Sequence, residues 1–481
     1  MIKLPDPASK CMALILICLL AGCSGLPTLP QKPELQSCVV GDEYQAECGR
    51  LSVFEDRASQ TGRKIDLQLA VIKARGDQPA PDPIFVLAGG PGTSAIEWAS
   101  YSMQLLGPAN YRRDVVLVDQ RGTGGSNRLE CPDPGDADPD RRAEALRSCL
   151  AGLNGDPRAY TTAWAMDDLE DVRVALGYDQ INLYGGSYGT VAAEIYILRH
   201  GEHVRTAALD GATLLDVPIF ERWPITSQNA LDAMFARCES EAACQSAFPD
   251  LRQEFADVLA RLDRAPVTLP IDNPVTGGPA VLTAVAFRTT VHNALTSTPT
   301  AVFVPRLIHL VYTEDWNGLN ALLAPFMDSD SAAPQWQIMN LTILCYEDWA
   351  KMRPDEIAGA SAASYLTYED VRALTVPEEI CAALPLPKAD ALDYGPLRDS
   401  PVPILFFNGE VDPQDPPQNV AGASVRYPDS LTLVAPGQAH GFTGIPCRAS
   451  IVADFIAQGS TAGLLTGCLE RVEPPVIDTG E

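Results

Sequence analysis

The sequence predicts an α/β fold: a mostly parallel sheet flanked by helices and interrupted by a large, mainly helical insertion. Three observations predict it. Short apolar runs at 84–88, 114–119 and 181–184 each lead into a glycine-containing turn, as buried parallel strands do. Helix-period segments accompany them: 164–176 sets Met166, Leu169, Val172 and Leu176 on one side, and 191–198 continues as helix. The rhythm then changes near 213, where helical patterns take over until about 396, and the strand signals return at 402–407 and 431–434.

The remaining elements follow in chain order. Residues 51–74 alternate in strand fashion around a turn at Gln60-Thr61-Gly62. Thr206 to Leu209 is a strand closed by Asp210-Gly211, and a helix is expected near 450–458. The organisation is a core in two pieces, 37–212 and 397–470, around a cap at 213–396, with 471–481 as a loose tail. At 481 residues and 46% apolar composition, the chain is long and apolar enough for such a core.

The first residues read as a leader. Lys3 and Lys10 precede an apolar run, Met12 to Ala21, too short to span a bilayer and suited to a signal peptide over 1–22. It ends in Leu20-Ala21-Gly22-Cys23, which resembles the lipobox of bacterial lipoproteins. That resemblance implies cleavage before Cys23, lipidation of its thiol, a tether over 23–36, and a cell-envelope location on a membrane. Of thirteen cysteines, removing Cys11, Cys18 and Cys23 leaves ten. An even number suits an oxidising compartment. They fall in neighbouring couples, hypothesised as disulfides: Cys38 with Cys48, Cys131 with Cys149, Cys238 with Cys244, Cys345 with Cys381, and Cys447 with Cys468. No CxxC occurs and there are five histidines, so no metal site is expected. The net charge of −27 disfavours nucleic acid as a partner.

The chemistry centres on Gly185-Gly186-Ser187-Tyr188-Gly189, set between a strand and a helix. That is the context of a nucleophile elbow, in which flanking glycines let a tight turn lift the serine hydroxyl out of the sheet. A serine needs a base. His200 and His203 lie at the far end of the helix that follows Ser187, roughly 20 Å away at 1.5 Å per residue. His292 and His309 lie in the insertion among apolar neighbours. His440, in Gly437-Gln438-Ala439-His440-Gly441 after a late strand, is the candidate base. A carboxylate should orient it, in the chain order serine, acid, histidine. Glu410, Asp412 and Asp415 all follow the strand that ends at Phe407, and Asp210 reads as a structural group. The backbone N–H groups of Tyr188 and Gly90, the latter in Gly89-Gly90-Pro91-Gly92, are the expected oxyanion donors. The run Asp119 to Ser126 lacks the ending of a phosphate loop and reads as a buttress.

Together these motifs resemble the α/β-hydrolase peptidases that include proline iminopeptidases and tripeptidyl aminopeptidases. The match runs through GGPG at 89–92, DQRGTGGS at 119–126, YGGSYGT at 184–190, LDG at 209–211, NGEVDPQDPP at 408–417 and GQAHG at 437–441. Residues 397–470 resemble the C-terminal module of the tripeptidyl-aminopeptidase branch. The resemblance implies the α/β-hydrolase fold, favours Asp412 as the acid, and implies carboxylates in the cap that hold a substrate's free α-amino group. Glu347 and Asp348 are the candidates, with Glu347 preferred. The chain departs from the family at Ala88, where proline iminopeptidases often carry histidine, and at Asp415, where relatives carry threonine. The expected function is an extracytoplasmic serine aminopeptidase acting on peptides with free N-termini, without cofactor. A carboxyl-ester hydrolase with the same triad, or a catalytically silent surface-binding lipoprotein, are the alternatives.

Overall fold

The computed structural model describes residues 31–135, 138–272, 278–324, 335–442 and 444–480. The leader and Cys23 lie outside them. The core is a nine-stranded sheet built from β1 (Gln36–Val40), β2 (Tyr44–Phe54), β3 (Lys64–Ile72), β4 (Ile84–Leu87), β5 (Val115–Val118), β6 (Ile181–Gly186), β7 (Val204–Asp210), β8 (Ile404–Gly409) and β9 (Ser430–Ala435). Their order is β1-β2-β3-β5-β4-β6-β7-β8-β9. Pairing is antiparallel from β1 to β5 and parallel from β5 to β9. Every residue of β4, β5, β6 and β8 is buried, which is why each reads as a continuous apolar run rather than an alternation.

Helices α1 (Thr162–Leu176), α2 (Tyr188–His200) and α3 (Arg448–Gln458) pack on the sheet. The segment α1 ends where Gly177 takes the left-handed conformation (φ 81°) and caps the last turn. Residues 36–50 depart from the sequence reading. The tether ends at Gln36, which opens β1, and β2 starts at Tyr44, ahead of the alternation read from 51. This hairpin is an exposed edge with few apolar positions, so its signal is weak.

The cap has its own core around Phe235, Phe255, Phe287 and Ile308. It is mainly helical but holds an antiparallel hairpin, Val267–Asp272 with Pro279–Leu282. A short cap strand, Gln335–Gln337, pairs with Glu130–Pro132 of the core domain.

All five cysteine couples are bonded as neighbours in the chain. Cys38 is joined to Cys48 across the β1–β2 hairpin, which it closes. Cys131 is joined to Cys149, tying the strand Glu130–Pro132 to the helix Pro139–Leu150. In the cap, Cys238 is joined to Cys244 over a separation of 6 residues, and both are buried in the cap core. Cys345 is joined to Cys381 over 36 residues. Cys447 is joined to Cys468 over 21 residues, holding the start of α3 to the segment that follows it.

The tail is not loose. Ile477 is buried in the cap core, Asp478 N–H donates to the carbonyl of Val302 at 3.0 Å, and Arg306 pairs with Asp478 at 3.0 Å. Val472, Val476 and Ile477 among Glu, Pro, Asp and Gly are too few to carry a periodic signal, so this docking leaves no trace in the local pattern.

The buttress after β5 is organised by two buried charges. Asp119 accepts from Ser94 Oγ at 2.6 Å and from the N–H groups of Ile96 and Gly125 at 3.1 and 2.9 Å. Arg121 is fully buried. Its guanidinium forks onto Asp168 at 2.6 and 2.8 Å and donates to the carbonyls of Phe54, Glu55 and Ala159. A buried guanidinium is stable only when its donors are used. Arg121→Met is therefore expected to cost about 3–5 kcal/mol, because it leaves Asp168 with Arg57 as its remaining cation and strips three carbonyls of a donor. Urea unfolding of the variant checks this, and Arg121→Lys should recover only part, lacking the planar fork.

Candidate active site

The turn from β6 into α2 holds Ser187 at φ 54° and ψ −126°, a strained conformation for a residue with a side chain. Three hydrogen bonds hold it there. The Ser187 N–H donates to the carbonyl of Asp210 at 2.9 Å, and its own carbonyl accepts from Thr190 N–H and Oγ1, both at 2.8 Å. The flanking glycines are required by close approach: a Cβ on Gly189 would lie 2.1 Å from the carbonyl oxygen of Leu87, and one on Gly185 2.4 Å from that of Gly189.

The loops after β8 and β9 bring the other two candidates together. His440 Nδ1 lies 2.8 Å from Asp412 Oδ2, while Asp412 Oδ1 accepts the N–H groups of Gln414 and Asp415. Asp412 is 2% exposed. Of the competing carboxylates, Glu410 turns away to accept from Gly437 N–H, and Asp415 stays 3.8 Å from the imidazole. The ring of His440 rests against Gly211, where a Cβ would stand 2.8 Å from Cε1. Gly211 follows the residue whose carbonyl holds Ser187, so base and elbow share one strand end. Among the described residues, no hydrogen bond joins the Ser187 hydroxyl to the imidazole. Contacts of this kind close when substrate fills a site. Burial pulls His440 down, but the charge and hydrogen bond of Asp412, with Asp415 behind them, outweigh it and raise the imidazole to about 9.

Ser187, Tyr188 and Gly90 line one cavity of about 270 Å³. Tyr188 is the first residue of α2, where backbone N–H groups have no partner within the helix. Glu347 and Asp348 lie on the same cavity wall. They sit on a π-helical turn, Leu344–Asp348, a local irregularity frequent at functional sites. The bond from Cys345 to Cys381 and the Tyr346 hydroxyl, donating to the carbonyls of Cys381 and Leu384, clamp that turn. Glu347 Oε1 accepts from Thr162 N–H at 2.8 Å. Burial pushes Glu347 upward against the pull of Thr162, and pushes Asp348 up to about 7 against the pull of Lys351.

The other histidines are engaged elsewhere. His200 bonds Asp167 at 2.9 Å, His309 lies 3.0 Å from Glu254, and His203 lies 3.7 Å from Glu170. His292 is buried with Nδ1 on Ser227, and burial lowers it to about 4. Asp210 is structural, accepting from Tyr184 Oη at 2.8 Å and from Arg448. Sequence reasoning missed several contributors. Thr162 Oγ1 and Gln120 Nε2 hold the Tyr188 hydroxyl at 2.7 and 2.9 Å, and Asn340 of the cap donates to the Pro91 carbonyl at 2.7 Å. The cap also grips the base: His440 N–H donates to Thr296, and Ala439 N–H to Thr298 Oγ1, both at 2.9 Å. Among the described residues no cluster of His, Cys, Asp and Glu is placed to hold a metal ion.

Residues 82–276 match the family described as the alpha/beta hydrolase fold, and 368–468 match the TAP-like protein family. The second match begins inside the insertion rather than at 397. A tripeptidyl aminopeptidase of Streptomyces coelicolor is 23% identical over 465 residues, 89% of this chain and 84% of the relative. The serine protease Hip1 of Mycobacterium tuberculosis is 30% identical over 225 residues, 41% of this chain and 42% of that protein. Among solved structures, a proline iminopeptidase of Mycobacterium smegmatis covers 85% of this chain and 98% of its own, at 17% identity and a TM-score of 0.38.

Replacing Ser187 by Ala is expected to abolish fluorophosphonate labelling and to lower ester turnover by at least about 10⁴-fold. The pH dependence follows from the raised imidazole. A histidine held above its ordinary value stays protonated, and useless as a base, until the pH climbs through that value. The acidic limb of kcat/KM should therefore centre near the His440 value, about 9. A limb near the ordinary histidine value of about 6.5 would remove the role given to the flanking carboxylates.

Proposed function

Because this chain is a serine hydrolase of the α/β-hydrolase class with peptidases among its relatives, we propose that it is an extracytoplasmic aminopeptidase acting on peptides with free N-termini. The observation that carries this reading is the placement of Glu347 and Asp348 on the wall of the cavity that also holds Ser187. An ammonium group entering there adds a second positive charge, beside Lys351, to two partly buried carboxylates that burial still holds upward. It also sets the distance from the N-terminus to the bond that is cut.

The chemistry proposed is acyl transfer in two halves. His440 takes the proton of Ser187 Oγ as the oxygen attacks the peptide carbonyl. The N–H groups of Tyr188 and Gly90 receive the oxyanion. His440 then gives the proton to the leaving amine, and the acyl-enzyme is hydrolysed by water with His440 again as base. Asp412 fixes the tautomer, keeping Nδ1–H toward itself and Nε2 toward the serine. The location part of the proposal is supported by the sequence of 1–23, which resembles a leader ending in a lipobox, and by five disulfides, which suit an oxidising compartment.

Glu347→Gln and Asp348→Asn are each expected to lower kcat/KM on a free-amine peptide by about 10- to 100-fold, the worth of a charge-assisted hydrogen bond. Turnover of a short-chain ester should change by less than about threefold. Equal losses on both substrates would sink the amine-anchor assignment, and turnover of esters alone would reject the aminopeptidase reading. Labelling with radioactive fatty acid, lost in Cys23→Ser, checks the anchor.

A further inference from the structure

The loop after β8 presents two carboxylates to His440. Asp412 Oδ2 takes the Nδ1 hydrogen, and Asp412 Oδ1 is filled by two backbone N–H groups. Asp415 Oδ2 stands 3.8 Å from the same Nδ1. That is too long for a hydrogen bond but close enough for charge to act strongly where water is excluded. Asp415 is held from two sides: Oδ1 accepts from Asn419 Nδ2 at 3.2 Å, and its carbonyl accepts from Asn408 Nδ2 at 2.8 Å. It is 7% exposed and forms part of the wall of the cavity that holds Ser187.

The other charges around His440 are spoken for. Asp210, behind Gly211, is tied to Tyr184 and Arg448. From the cap, His292 is held neutral by burial, and Thr296 and Thr298 offer a carbonyl and a hydroxyl. Glu347, Asp348 and Lys351 line the same cavity, and Glu347 is bound to Thr162. After Asp412, Asp415 is the carboxylate that faces the imidazole.

We infer that Asp415 is a positioning residue of the reaction, a second counter-charge to the imidazolium that forms when His440 takes the Ser187 proton. The proton moves from Oγ to Nε2, Nδ1–H stays with Asp412, and Asp415 exchanges nothing. Burial, with the neighbouring Asp412 charge, outweighs the pull of His440 and pushes Asp415 up to about 7, so above that pH its charge is present and favours the protonated ring in the transition state and equally in the resting enzyme. It therefore trades activity at low pH for a stabilised intermediate. This role rests on the triad reading, not on the choice of peptide over ester.

The test is the pH profile of kcat/KM on a short-chain p-nitrophenyl ester, which has no α-amino group, in the full chain and its Asp415→Asn and Asp415→Thr variants. The acidic limb should move to lower pH by about one unit, and the alkaline plateau should fall about three- to tenfold. The Asn variant keeps a partner for Asn419, so a purely structural role would lower thermal stability and leave the limb in place. Should the Asn variant be recovered unfolded, the Thr variant reports the same limb. A limb within about 0.2 pH unit of the wild type, or one displaced upward, overturns the inference. If Ser187→Ala is inactive while the Asp415 variants keep the wild-type limb, this inference alone fails. If Ser187→Ala keeps its ester turnover, the triad reading fails with it.

Discussion

The site depends on one backbone hydrogen bond, from Ser187 N–H to the carbonyl of Asp210. It pins the elbow, at a strained φ, to the end of the neighbouring strand. The Asp210 side chain is fixed in turn by Tyr184 and by Arg448, whose guanidinium lies over Phe407 and Phe442. The next residue, Gly211, leaves the space that the His440 ring fills. One strand end thus sets the nucleophile and the base relative to each other, and the strain at Ser187 is held by a buried, satisfied polar cluster.

The cap is bonded to the core at each working part. Asn340 holds the loop that carries Gly90, Thr296 and Thr298 hold the loop that carries His440, and Gln335–Gln337 pairs antiparallel with Glu130–Pro132 of the core. A chain of hydrogen bonds runs from Gln120 through the Tyr188 hydroxyl to Thr162, whose N–H reaches Glu347. The carboxylates on the cap side and the proposed oxyanion donor on the core side therefore share a scaffold. Such preorganisation is what orientation of a bound substrate requires.

What was legible in the sequence was local. The elbow carries its strand, glycines and helix within seven residues, and the buried strands β4, β5, β6 and β8 announce themselves as apolar runs. The cysteine couples were legible for the same reason, since each bond joins near neighbours such as Cys238 and Cys244. His440 could be reached by elimination because there are only five histidines. The acid was harder. Glu410, Asp412 and Asp415 share one loop, and only the fold decides which carboxylate meets Nδ1. The docking of Ile477, the Thr296–His440 contact and the pairing of 335–337 with 130–132 were not legible. Each joins segments far apart in the chain, and no periodicity or spacing encodes such a contact. The edge strand β1 was missed for the opposite reason: it buries too little to leave a pattern.

The insertion also has a consequence for the order in which the molecule becomes itself. Strand β7 must wait for β8, and Asn408 on β8 bonds the carbonyl of Ala212 across 196 residues of chain. Closing so long a loop is slow, and chains emerge from the ribosome N-terminus first. Until the segment from 404 to 440 has threaded back onto the sheet, Ser187 stands beside an open edge with neither Asp412 nor His440 near it. Hydrolytic power thus cannot precede the return of this segment to the sheet, and turnover itself reports that the return has taken place.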